Sequence, residues 1–292
     1  MFAILGITGQ VGGATARALL AAGQSVRAVV RNPAKAAAWQ AQAAEVAVVN
    51  LHDAATLQAA FTGVDGVFVA TPPLLEVADP IAENRRMLVA LTAALQAAAV
   101  PKVVYLSSVG AQHDHGLGAI SKLYDMEQAF QQLPMPTASI RAAWFMENVK
   151  GLISQAQQTG QVPSLLFPTD RPIPMVATED IGQLAARMLL ESWTGPRVAE
   201  LAGPCLYSPD DVTACLSYLL GRPLQTVVVP PADHVATYLS WRATPAAALL
   251  MTDMVAGFNR GWIAFAGTGA EQHTGATLLE DALRQYVAAA TT

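Results

Sequence analysis

Gly6-Ile7-Thr8-Gly9-Gln10-Val11-Gly12 decides the fold. The apolar run Phe2-Ala3-Ile4-Leu5 before it reads as a buried strand. Ala14-Thr15-Ala16-Arg17-Ala18-Leu19-Leu20-Ala21-Ala22 after it reads as a helix, stopped by Gly23. Strand, glycine-rich turn and helix together make the corner of a dinucleotide fold that grips phosphate. The glycines let the backbone turn tightly and approach a pyrophosphate closely, and the unpaired N–H groups of the helix start face the anion. Gly6, Thr8, Gly9, Gln10, Val11 and Gly12 are therefore the first candidate cofactor-binding residues.

Outward from this corner, short apolar runs alternate with helical segments. Strands are expected at Ser25–Val30, Glu45–Val49, Gly66–Ala70, Lys102–Leu106 and Thr137–Ile140. Helices are expected at Ala34–Gln42, from an Asp53 cap to Phe61, at Ala78–Ala98 and at Lys122–Gln132. This rhythm predicts an α/β fold, a doubly wound parallel sheet with helices on both faces. After about residue 150 the rhythm changes. Pro163, Pro168, Pro172 and Pro174 break up short extended pieces, and helices start at Thr178 and Pro209. The expected division is a Rossmann domain over 1–150 and a smaller, mixed C-terminal lobe over 151–292, with elements swapped across the boundary.

Bulk properties exclude several classes. The 292 residues are 53% apolar, which fits a globular chain with one large core. A net charge of −5 argues against sequence-independent nucleic-acid binding, which needs a basic face. No apolar stretch has the length of a membrane span. The apolar N-terminus lacks the basic region of a secretory signal, so the expected address is cytoplasmic. Cys205 and Cys215 read as two small buried hydrophobes in a reducing compartment, with no disulfide framework. His113-Asp114-His115 and Asp233-His234 read as solvated loops, so no metal site is expected.

In an open α/β sheet the ligand lies outside the carboxyl ends of the strands. Those ends carry the glycine turn, then Arg31-Asn32, Asn50-Leu51, Thr71-Pro72-Pro73, Ser107-Ser108, and Arg141 followed by Trp144-Phe145. Arg31 stands where a site for NAD usually has an acidic residue to bind the ribose 2′-hydroxyl. An arginine suits a 2′-phosphate, which its planar fork holds bidentately. The cofactor expected is therefore NADP(H). Lys35, four residues on, reads as a solvated lysine.

Gly6-x-Thr8-Gly9-x-x-Gly12, Val30-Arg31-Asn32-Pro33, Gly63-Val64-Asp65-Gly66-Val67, Val104-Tyr105-Leu106-Ser107-Ser108, Arg141-x-x-Trp144-Phe145-x-Glu147-Asn148 and Ala177-Thr178-Glu179-Asp180-Ile181 together resemble the NmrA-like branch of the atypical short-chain dehydrogenase/reductases. The nearest subgroup in this resemblance is the NADPH-dependent quinone oxidoreductases. The family mixes reductases with non-catalytic NADP-sensing regulators. The resemblance implies that Lys122, on the helix after strand five, is the subgroup's catalytic lysine and also a cofactor contact. The Tyr-x-x-x-Lys pair of the wider superfamily is broken here, with Gly118 where the tyrosine would stand. Tyr124 points to a different helix face from Lys122.

Ketone reduction needs a positioned proton donor. A quinone accepts hydride more readily, and its reduced oxygens form a stabilised phenolate that water protonates. The expected partner is thus a small-molecule electron acceptor, a quinone or similar electrophile. Trp144 and Phe145 are placed to stack on it, and Asn148 is a further substrate-side candidate, beside a Glu147 whose role the sequence does not resolve. Two other readings stay open, an NADP(H)-sensing regulator and, more weakly, an epimerase-type enzyme on a nucleotide sugar. The sequence leaves a monomer and a homodimer equally open.

Overall fold

The computed structural model describes residues 1–42 and 44–290. Its strands in chain order are β1 (Phe2–Leu5), β2 (Val26–Val30), β3 (Glu45–Val48), β4 (Gly66–Val69), β5 (Val103–Ser108), β6 (Thr137–Ala142), β7 (Trp144–Phe145), β8 (Gln161–Ser164), β9 (Ile173–Val176), β10 (Pro196–Ala202), β11 (Leu206–Tyr207), β12 (Gln225–Val228) and β13 (Glu271–Thr274). The helices are α1 (Gln10–Ala21), α2 (Ala37–Gln40), α3 (Ala54–Phe61), α4 (Pro80–Ala97), α5 (Ser121–Gln131), α6 (Ile153–Thr159), α7 (Thr178–Leu190), α8 (Pro209–Leu220), α9 (His234–Ser240), α10 (Pro245–Asn259) and α11 (Leu279–Ala290).

Among the described residues, eight strands form one parallel sheet in the order β13-β10-β6-β5-β4-β1-β2-β3. The chain winds from β1 outward through β2 and β3, then returns to β4 on the other side of β1. The switch point between β1 and β4 is where such sheets open a crevice. Leu5 is in register with Val29 on one side and Val69 on the other, so all three strand ends meet at one level. Strand alternation sends Phe2 and Ile4 to the face covered by α1 and α7, and Ala3 and Leu5 to the face covered by α3, α4 and α5. Both faces are dry, as all-parallel sheets require.

The chain after residue 150 contributes to both parts. β10 and β13 extend the parallel sheet beyond β6, and α7 packs on α1. A Cβ on Gly182 would stand 2.3 Å from Ala14 Cβ, so these two helices cross with their backbones nearly touching. The smaller lobe holds the short β7-β9-β11 sheet and the parallel pair β8 and β12. It has its own apolar core, in which α11 joins β9 and α8. Residues 291–292 of the expected lobe lie outside the described residues.

Three expectations change. The helix expected at Ala34–Gln42 is a 3₁₀ turn over Pro33–Lys35 and a single α turn over Ala37–Gln40. Trp39 is its one large apolar side chain, and one buried ring anchors only a turn. Strands five and six each run two residues further than their apolar runs, so Ser107, Ser108 and Arg141 belong to strands. Cys205 is exposed rather than buried.

Candidate functional site

Gly6 adopts φ +88°, a left-handed conformation that favours glycine. A Cβ on Gly12 would stand 2.3 Å from Gly6 O and 2.9 Å from Ile7 N, so α1 leaves the turn in direct contact with its backbone. Gly9 occupies the N-cap of α1, where no side chain caps the helix and no acidic residue stands in the first turn. By contrast, Asp53, Asp79, Ser208 and Thr244 cap their own helices. The first N–H groups of α1 are thus left without a side-chain acceptor, and Thr8 and Gly9 before them are exposed. Gln10 differs from expectation in one respect. Its side-chain Nε2 donates to Tyr286 Oη at 2.8 Å, which ties the turn to α11.

Beside the turn, a cleft of about 350 Å³ is lined by Arg31, Asn50, Leu51, His52, Pro72, Leu74, Val77, Glu83 and Met87. The Arg31 guanidinium is exposed and has no hydrogen bond or ion pair among the described residues. Glu83 brings negative charge to the same cleft but is engaged by His52 at 2.8 Å and by Arg86. The Arg86 hydrogen bond holds its carboxyl below the usual carboxylate range. The Asn50 side chain accepts the His52 N–H at 3.0 Å and shapes the loop. Lys35 is exposed.

Lys122 reaches across from α5. Its Nζ donates to Pro73 O at 2.5 Å, and among the described residues no carboxylate pairs with it. Burial pushes its ammonium down to about 8. A buried ionic cluster sets this helix against the sheet. Glu127, fully buried, accepts from Arg141 Nε at 3.0 Å and from Arg141 Nη2 at 2.6 Å, and Ser107 Oγ donates to the same carboxylate. Arg141 and the Ser107 hydroxyl therefore face the interior, not the crevice. Ser108 is half-buried, with its hydroxyl on Val109 O at 3.0 Å. Thr71 and Pro72 are half-buried at the mouth.

A second cavity, also of about 350 Å³, opens between the small lobe and α9–α10. It brings Trp144, Phe145 and Asn148 together with Leu75, Leu165, Tyr238, Trp241, Met251 and Met254. Trp144 is held edge-to-face on Phe258, with centroids 5.1 Å apart. Glu147 turns away from this cavity to cap α7. Its Oε1 accepts from Thr178 N at 2.8 Å and Thr178 Oγ1 at 2.7 Å, and burial raises its carboxyl above the usual range.

Motif reading does not reach the α9–α10 wall, because Tyr238, Trp241, Met251 and Met254 are ordinary core residues by pattern. Tyr124 packs at the edge of the core that includes this wall. His113 stacks on Trp262 at 4.2 Å, and among the described residues no three metal-ligating side chains converge. His234 is buried rather than solvated, with Nε2 3.0 Å from Val229 O. No helix among the described residues is long and apolar enough to cross a membrane.

Comparison with known proteins gives the same outline. The chain is 28% identical over 230 residues to an NAD(P)H azoreductase of Xenophilus azovorans, covering 78% of this chain and 77% of that protein. It is 26% identical over 263 residues to quinone oxidoreductase 2 of Escherichia coli, covering 89% of each. The fold superposes on the NADPH-dependent quinone oxidoreductase of Escherichia coli complexed with NADPH, with a TM-score of 0.80, 24% identity, and 98% and 99% of the two chains covered. The NmrA-like family model matches residues 1–260, and the chain belongs to that family.

Proposed function

We propose that this protein binds NADP(H) along the carboxyl edge of its sheet and reduces a quinone or similar small electrophile in the apolar cavity. One observation carries the reading. The loop after β4 lines both cavities, with Pro72, Leu74 and Val77 in the Arg31 cleft and Leu75 in the Trp144 pocket, and Lys122 is fastened to Pro73 of the same loop. In this reading the dinucleotide runs from Arg31 past the glycine turn toward the apolar cavity. The names of the azoreductase and quinone reductase relatives point the same way.

When bound, the nicotinamide supplies hydride. The chain's own groups supply the rest. The uncapped start of α1 binds the pyrophosphate, and Arg31 binds the 2′-phosphate. Lys122 holds the ribose hydroxyls on the nicotinamide side, and its charge favours developing negative charge on an acceptor oxygen. Trp144 and Phe145 exclude water and hold a flat ring.

Arg31→Ala is expected to weaken NADPH binding about ten- to a hundredfold, since a charge-assisted contact contributes about 1.5–3 kcal/mol. NADH binding changes little. Calorimetric titration with both cofactors checks this, and equal losses would place Arg31 in the fold instead of at the phosphate.

Lys122→Ala is expected to lower turnover about ten- to a hundredfold while NADPH affinity falls less, because misplacement at the reacting end costs rate steeply. The lysine is charged below a pKa of about 8 in the free protein. The charged form is the active one, so kcat/KM falls as pH rises through about 8. The fall is missing in Lys122→Ala. A flat wild-type profile with an unimpaired variant would remove Lys122 from the mechanism.

A further inference from the structure

The acceptor cavity is lined mostly by apolar side chains, and its hydroxyl groups other than that of Tyr238 are committed to one another or to the backbone. Thr226 Oγ1 donates to Thr213 Oγ1 at 2.8 Å. Ser164 Oγ donates to Leu166 O at 2.8 Å and accepts from Leu166 N at 3.2 Å. Tyr238 is different. The residue is 5% exposed and lines the cavity, yet its hydroxyl has no hydrogen-bond partner among the described residues. Nor is that hydroxyl among the sealed, unpartnered polar atoms, which are Gln112 Oε1, Glu147 Oε2, Trp193 Nε1 and Thr252 Oγ1, so it keeps some accessible surface. The ring is fixed edge-to-face against Trp241, with centroids 5.5 Å apart at 90°.

A phenol O–H on the wall of a mostly apolar cavity, with no protein partner among the described residues, is free to donate to a ligand oxygen. We propose that Tyr238 donates a hydrogen bond to a carbonyl-type oxygen of the acceptor and thereby selects acceptors that carry one. The inference rests on the reading of this cavity as the acceptor site. Burial pushes the Tyr238 phenol well above its ordinary range, so it stays a donor throughout the neutral region. On reduction, hydride from the cofactor brings two electrons and one hydrogen to the quinone. The negative charge left on the ring oxygen is held by the Tyr238 O–H, and water supplies the second proton. Tyr238 is thus a binding and orienting donor and ends the step as it began, protonated.

Tyr238→Phe removes the hydroxyl and keeps the ring. Two probes of the same outline separate oxygen recognition from packing: duroquinone, whose fully methylated ring resists addition by the exposed Cys205 thiol, and durene, which lacks both oxygens. Both are titrated by ligand-observed NMR into wild type and variant, with and without NADP⁺. The expected result is duroquinone binding weakened about three- to tenfold by Tyr238→Phe, the equivalent of one neutral hydrogen bond, with durene unchanged. Unchanged duroquinone affinity, equal weakening of both ligands, or no binding of either to wild type would overturn the assignment. If wild type binds duroquinone but does not oxidise NADPH with it, the hydride-transfer reading fails while the titration still decides the Tyr238 contact.

Discussion

Gly12→Val is expected to abolish NADPH binding, weakening it at least about a hundredfold. The clash begins at Cβ, which would stand 2.3 Å from Gly6 O, 2.6 Å from Gly6 C and 2.9 Å from Ile7 N. These are backbone atoms of the turn itself, and no rotamer avoids them. Either α1 withdraws from β1 or the turn shifts, and both displace the N–H groups that would face the pyrophosphate. Gly12→Ala already introduces the offending atom and is the milder form of the test. At Gly9 a Cβ would meet only Gly6 O, at 3.2 Å, so Gly9→Val acts by filling ligand space and leaves the fold nearly intact. Circular dichroism establishes folding, and thermal stabilisation by NADPH reads binding. A folded Gly12→Val protein still stabilised by NADPH would refute the assigned site.

Glu127→Ala is expected to destabilise the fold by about 3–5 kcal/mol in denaturant unfolding, the cost of breaking a buried ion pair from one side. Arg141 stays charged at any accessible pH, and only 8% of it is exposed. Without Glu127 the guanidinium loses a bidentate partner, and the Ser107 hydroxyl loses its acceptor. Replacing both charges, as Glu127→Leu with Arg141→Met, recovers most of the loss, because the desolvation penalty goes with the pair. A single variant within about 1 kcal/mol of wild type would show that water reaches Arg141. The cluster also bears on function. Glu127 stands five residues after Lys122 on α5 and locks that helix to β5 and β6, so its loss also loosens the lysine.

The sheet was legible in the sequence because each parallel strand is a short apolar run set off by helices, and the glycine turn names the first crossover. The strand ends at Ser107, Ser108 and Arg141 were not. Polar residues read locally as the end of a strand, while the partner that lets them stay inside, Glu127, lies on the next helix. The place of Arg31 at a cleft was legible, because a residue just after β2 stands at the carboxyl edge of the sheet in this topology. The capping role of Glu147 was not, since its partner Thr178 begins α7, 31 residues on. The place of Tyr238 on the cavity wall was not legible either, since nothing in His234–Ser240 distinguishes it from a core aromatic.

The most direct test of the account is steady-state NADPH oxidation by the wild-type protein against a panel of quinones, with the NADPH dissociation constant measured on the same preparation. The account predicts turnover with quinones, a preference for NADPH over NADH, and little reduction of simple ketones. Tight NADPH binding with no quinone reduced would contradict it and leave a protein that senses the cofactor without using it.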